Sequence, residues 1–147
     1  MTCTFIGHRE CFDVREVLLT KEIENLIQNQ YDTFLCGGMG QFDLMCARCV
    51  YKLKAKYLNV NNILVIPYLD FTIQNSEHYN EIIYPDWFEK YHFKSAILKR
   101  NQYLVSNSEA ANCYIKYSWG GAAKTYALAL KNKLKIINIA SSETVDS

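Results

Sequence analysis

The sequence predicts an α/β fold, a doubly wound, mainly parallel sheet flanked by helices. Three observations predict it. Short apolar runs rich in β-branched and aromatic residues alternate with longer segments whose apolar positions recur at helical spacing. Most of the short runs are continuously apolar, as strands covered on both faces must be. Glycine-bearing turns follow several strand candidates, and that is the edge at which open parallel sheets bind ligands.

The first strand is predicted at Cys3 to Ile6. A helix follows, with Leu19, Ile23, Leu26 and Ile27 on one stripe, Arg15, Lys21, Glu22 and Glu24 toward water, and Asp13 where an N-cap belongs. The second strand is Thr33 to Cys36. The segment Asp43 to Tyr57 then places Cys46, Cys49, Val50, Leu53 and Tyr57 on one helical face. Asn62 to Ile66 is the third strand and Glu81 to Tyr84 the fourth. Between Pro67 and Ser95 lie both prolines and many aromatics, which reads either as a lid or binding loop or as an edge strand with a packed aromatic cluster. A third helix covers Phe93 to Ser106, and the fifth strand is Ala111 to Tyr117. The last helix runs from about Ala122 to Asn132 with Ala123, Tyr126, Ala127 and Leu130 inward, and Lys135 to Ile139 closes the sheet.

A chain of 147 residues is the size of one domain, expected over residues 1–140 with a flexible tail at 141–147. Sixteen Lys and Arg against fifteen Asp and Glu give a formal charge of +1, so a broad attraction to nucleic acid or to an anionic membrane is not expected. No apolar stretch reaches membrane-spanning length and no signal peptide is visible, so a cytoplasmic location is expected. Six cysteines in such a chain should stay reduced. The pair Cys46 and Cys49 has the spacing of a redox or zinc half-site, but it shares a helical face with Val50 and Leu53 and no second ligand pair lies near, which favours packing. The three histidines lack metal-ligand spacing, so neither a metal nor a resident cofactor is expected.

Three turns after strands carry the candidate chemistry: Gly7-His8-Arg9-Glu10, Gly37-Gly38-Met39-Gly40 running into Asp43, and Gly120-Gly121 running into Lys124 and Thr125. Glycine exposes backbone N–H groups and a helix start adds positive potential, so the expected ligand is a phosphate ester. Arg9 offers a planar guanidinium suited to phosphate, and His8 reads either as a ligand contact or as a loop residue. Asp43 reads either as a helix-start carboxylate or as an acceptor for a ribose or base. Arg100 and Asn101 fall on the face of Ile97 and Leu104, so a buried Arg100 needs a partner, either a protein carboxylate or the ligand's phosphate.

The runs Cys-Thr-Phe-Ile-Gly-His-Arg at 3–9, Phe-Leu-Cys-Gly-Gly-Met-Gly-Gln-Phe-Asp at 34–43, Lys-Arg-Asn-Gln-Tyr-Leu-Val at 99–105 and Gly-Gly-Ala-Ala-Lys-Thr at 120–125 resemble the SLOG superfamily, nearest its small YpsA-like branch. The resemblance implies a Rossmann-like domain that binds a nucleotide-derived molecule, with Gly37, Gly38, Gly40, Asp43, Arg100, Asn101, Gly120, Gly121 and Thr125 on pocket motifs. Similar LOG enzymes hydrolyse the N-glycosidic bond of nucleoside 5′-monophosphates using an arginine and a glutamate. DprA relatives bind single-stranded DNA, and other SLOG domains sense nucleotide signals. Here the helix after Gly121 carries no carboxylate, which weakens the enzymatic expectation and leaves Asp43 or Glu10 as acid/base candidates. The expectation is therefore a sensor or sequestering module for a small nucleotide-derived ligand, with phosphate on Gly120, Gly121, Lys124 and Thr125, Arg9 and Arg100 closing around it, and Tyr68 or Trp87 stacking on the base. An N-ribosyl hydrolase is the alternative and a nucleic-acid binder is disfavoured. A homodimer is what the resemblance implies for assembly.

Overall fold

A computed structural model describes residues 1–140; the expected tail at 141–147 lies outside the described residues. Six strands form one sheet: β1 (Thr2–Gly7), β2 (Thr33–Cys36), β3 (Asn61–Val65), β4 (Glu81–Ile83), β5 (Ala110–Tyr114) and β6 (Lys135–Asn138). All five pairings are parallel, in the order β4-β3-β2-β1-β5-β6. Four helices cover it: α1 (Glu16–Gln28), α2 (Gln41–Leu53), α3 (Phe93–Ser106) and α4 (Gly121–Lys131).

Alternation along the strands splits the core. Cys3 and Phe5 of β1 join Leu19, Ile23, Phe42, Cys46 and Val50 under α1 and α2. Ile6 faces the other way, with Ala111, Cys113, Val105 and Ala129 under α3 and α4. All six cysteines are buried thiols, and burial pushes the Cys3 thiol up to about 12, so Cys46 and Cys49 pack as small core residues. Buried Asn62 spends its amide on Ala47 O at 3.1 Å and His78 O at 2.9 Å, which ties α2 to the segment before β4.

Several boundaries differ from the sequence reading for identifiable reasons. Asp13 does not cap α1; its carboxylate accepts from the Tyr114 hydroxyl and Lys116, and the helix begins after Arg15 with no side-chain cap. β5 ends at Tyr114, opposite Gly7, the last residue of β1, where the His8 N–H closes the ladder on the Tyr114 carbonyl at 3.2 Å. Asn138 takes over there, accepting from the Ile115 N–H and donating to the Ile115 carbonyl, each at 3.1 Å. On α4 the buried residues are Thr125 and Ala129, whereas Ala127 and Leu130 are exposed and Ala123 and Tyr126 half-buried. Thr125 tolerates burial because its hydroxyl donates to Gly121 O at 3.0 Å. The segment between Pro67 and Ser95 forms the edge strand β4 with an aromatic cluster in which Phe88 packs on Tyr84, Tyr91 and Tyr103.

Candidate functional site

β1 has β2 on one side and β5 on the other, so the direction of winding reverses at β1. Chain leaving β1 and chain leaving β5 diverge there, which opens a crevice at the carboxyl ends of the strands. A cleft of about 770 Å³ occupies that position. Its lining includes Gly7, His8, Arg9, Glu10, Gly37, Gly40, Asp43, Arg100, Asn101, Gly120, Gly121 and Thr125. The three turns thus meet at one rim. Lys124 is exposed and not part of the lining. Gly38 lies in an adjoining recess of about 330 Å³ that shares Arg9, Met39 and Gly40 with the cleft and is walled by Tyr68 and Phe71. Trp87 borders neither cavity.

The glycines are there for different reasons. A Cβ on Gly7 would lie 2.3 Å from the buried Phe42 ring, so that position is a packing requirement. Gly40 and Gly120, the N-caps of α2 and α4, have φ of 87° and 94°, which side chains rarely adopt. Gly121 has no such φ, and a Cβ there would meet nothing within 4 Å. Neither packing nor conformation demands a glycine at 121.

Arg100 is 2% exposed and committed to the protein. Its Nη1 donates to Gly37 O at 2.6 Å and Val65 O at 2.9 Å, and its Nε to Asn101 Oδ1 at 3.0 Å. Those carbonyls lie at the ends of β2 and β3, so the guanidinium clamps two strand termini beneath the cleft. Asp43 is the carboxylate beside it. Asp43 Oδ2 accepts from the Gly37 N–H at 2.9 Å and the Met39 N–H at 3.5 Å, while the enclosed Oδ1 has no partner among the described residues. Burial pushes the Asp43 carboxyl up to about 6, against the opposing Arg100 charge and the backbone donors of Met39, Gly37 and Gly38.

That shift has a definite sign. The unfolded chain should release this proton near 3.8 and the folded one near 6, so the folded state holds a proton that the unfolded state has lost across that interval. The stability Asp43 contributes is full below about 4, falls by roughly 2–3 kcal/mol as pH rises to about 6, and is flat above. Urea unfolding of wild type and Asp43→Asn at pH 4 and pH 6.5 checks it: the wild-type advantage should shrink by that amount, and a constant difference refutes the shift.

His8 is a clamp. Its Nε2 accepts from the Lys116 N–H at 2.9 Å and the Tyr117 N–H at 3.2 Å, which requires the uncharged ring, and partial burial followed by the Lys116 charge moves its pKa down. The sequence reading missed Phe12, Tyr117 and Trp119, all of which line the cleft and are exposed. The signal available is Trp119 directly before Gly120-Gly121, but the apolar run through Ile115 reads as strand as far as Tyr117. Charged lining is balanced, with Arg9, Arg100 and Lys116 against Glu10, Asp13 and Asp43. Among the described residues no group of three or more His, Cys, Asp or Glu side chains is arranged to hold a metal ion, and no helix is long and apolar enough to cross a membrane.

A search of solved structures finds DNA processing protein A from Helicobacter pylori, described with a single-stranded DNA binding mode, at a TM-score of 0.65 and 18% identity. The match covers 92% of this chain and 63% of that protein, so this chain corresponds to less than two thirds of its length. At that identity the likeness shows the fold. No curated protein matches the chain significantly. The family model YpsA, described as the YspA SLOG family, matches residues 3–140. A match over nearly the whole length shows the family: the chain belongs to the YpsA family of SLOG proteins.

Proposed function

We propose that the protein is a binding module, a sensor or sequestering protein, for a small nucleotide-derived ligand held in the cleft between β1 and β5. Gly121 carries this reading. A glycine with neither a steric neighbour nor a left-handed backbone, at the first position of α4, leaves backbone N–H groups open to close approach by an anion. Gly120 and Gly121 receive the phosphate, and Arg9, exposed at the rim, supplies the cation. Thr125 and Arg100 are already bonded to Gly121 and to Gly37 and Val65, so they shape the site from beneath. Gly37 and Gly40 face the sugar, with Asp43 behind them and Asn101 Nδ2 a further donor. Gly38 and the Tyr68 recess would take a second moiety. Lys124 adds positive charge outside the rim.

The balanced lining favours a ligand with one or two phosphates over a polynucleotide, whose backbone calls for a continuous basic track. A cytoplasmic location and a homodimeric state belong to the same proposal, and light scattering reads the second. The N-ribosyl hydrolase reading keeps one supporting observation: the Asp43 carboxyl at about 6 lies in the cleft, close to the range useful for acid/base work. Thermal unfolding with nucleoside 5′-monophosphates separates the two when combined with chromatography of the mixture. A rise in melting temperature without free base supports the binding module. Release of base and ribose phosphate makes it a hydrolase, and the absence of both a shift and free base with every nucleotide refutes both readings.

A further inference from the structure

Beyond β5 the chain exposes a row of rings at the lip of the cleft. His8 and Tyr117 lie 4.9 Å apart between centroids, and Tyr117 stacks on Trp119 at 4.8 Å and 25° between planes. Trp119 ends the row, 69% exposed, and makes no other ring contact among the described residues. Tyr117 is 49% exposed. An indole left this open forgoes burial that the core elsewhere secures for Phe34 and Phe42. The row is nevertheless held in place, because the His8 ring receives the amides of Lys116 and Tyr117 and is anchored on β1. Lys116, the cation in this segment, is paired with Asp13, so the lip presents flat apolar surface with little free charge.

We propose that this row is the nucleobase subsite: the base of a nucleoside 5′-phosphate stacks on the free face of Trp119 while its phosphate sits at Gly120–Gly121. This inference rests on the nucleotide reading of the cleft and deepens it. Spacing supports it. Only Gly120 separates Trp119 from Gly121, so their Cα atoms are at most about 7 Å apart, a span that a phosphate and ribose bridge. Every base has a π-face, and stacking on an aromatic side chain contributes enough for about a ten- to hundred-fold change in affinity. The assignment moves the base away from Tyr68 and Trp87, the second of which borders neither cavity.

The chain has two tryptophans, so Trp87→Phe leaves Trp119 as the sole indole reporter. Titrating that protein with the four common nucleoside 5′-monophosphates and with ribose 5-phosphate should quench Trp119 fluorescence with at least one nucleotide and leave it unchanged with the sugar phosphate. In calorimetry, Trp119→Ala should weaken that nucleotide about tenfold or more without weakening ribose 5-phosphate, and Trp119→Phe should recover most of the loss. Undiminished nucleotide binding by Trp119→Ala overturns the base subsite and leaves the nucleotide reading standing. Wild-type protein that binds neither nucleotides nor ribose 5-phosphate overturns that reading and the subsite with it. Quenching by oligo(dA) alone, with all monophosphates silent, assigns the row to single-stranded nucleic acid and overturns the mononucleotide proposal.

Discussion

Arg100→Ala is expected to lower the unfolding free energy of the ligand-free protein by about 3–5 kcal/mol, a large share of what a domain of this size has. The guanidinium is buried, donates to the carbonyls of Gly37 and Val65, and faces the Asp43 carboxylate. Removing it strands two strand-end acceptors and leaves the Asp43 charge without its cation. Arg100→Lys retains charge but cannot reproduce the forked contact to two carbonyls and Asn101, so it should recover only part of the loss. Adding Asp43→Asn to Arg100→Ala should cost less than the sum of the single changes, since once the nearby Arg100 charge is gone a neutral side chain at 43 is cheaper to bury than a carboxylate. Urea titration of the four proteins tests this. An Arg100→Ala protein as stable as wild type, having lost only ligand-dependent stabilisation, would make Arg100 a ligand contact.

Gly121→Asp is expected to move stability and binding in opposite directions. At the first position of α4 an aspartate meets no steric obstacle and complements the positive end of the helix, while loss of glycine reduces the freedom of the unfolded chain. The ligand-free protein should gain about 0.5–1.5 kcal/mol, read as a melting temperature a few degrees higher. The same carboxylate occupies the place assigned to phosphate, and like charges at contact distance in a cleft weaken binding about a hundred-fold or more. Differential scanning calorimetry with and without nucleoside monophosphate reads both effects. A variant that is stabilised yet binds nucleotide normally would remove the phosphate from Gly121, and one that is destabilised would show that the position was needed for the fold.

The layering of the fold was legible because strands buried on both faces must be continuously apolar, and runs such as Phe34-Leu35-Cys36 and Ile63-Leu64-Val65 have no other plausible reading. The meeting of the glycine turns was legible for a related reason: parallel strands put all their carboxyl ends on one edge. What could not be read was how each polar group finds its partner. Arg100 was weighed between protein and phosphate, and the choice depends on Gly37 O and Val65 O, 63 and 35 residues away. Asp13 sat at a plausible cap position, yet Tyr114 and Lys116, brought alongside by β5, hold it instead. Tyr117 reads as strand because Ile115 and Tyr117 prolong an apolar run, and only the length of β1 shows that the strand ladder ends at Tyr114, beyond which side chains of Asn138 and His8 take the backbone groups. The aromatic lip was therefore hidden by its own sequence. On α4 the four-residue spacing was right but its phase was not, because a threonine that bonds its own helix can be buried like an alanine.

The seam between β1 and β5 also sets an order of events during synthesis. Thr2 and Glu109, which are bonded across it, are 107 positions apart, and β5 must wait until β2, β3 and β4 have been laid down on the far side of β1. Until then the first strand offers an unpaired flank, the kind of exposed edge on which emerging chains associate with one another. A ribosome-bound fragment ending before Ala110 should therefore be sticky and unable to take up ligand, and both properties should reverse together when the fifth strand slots in.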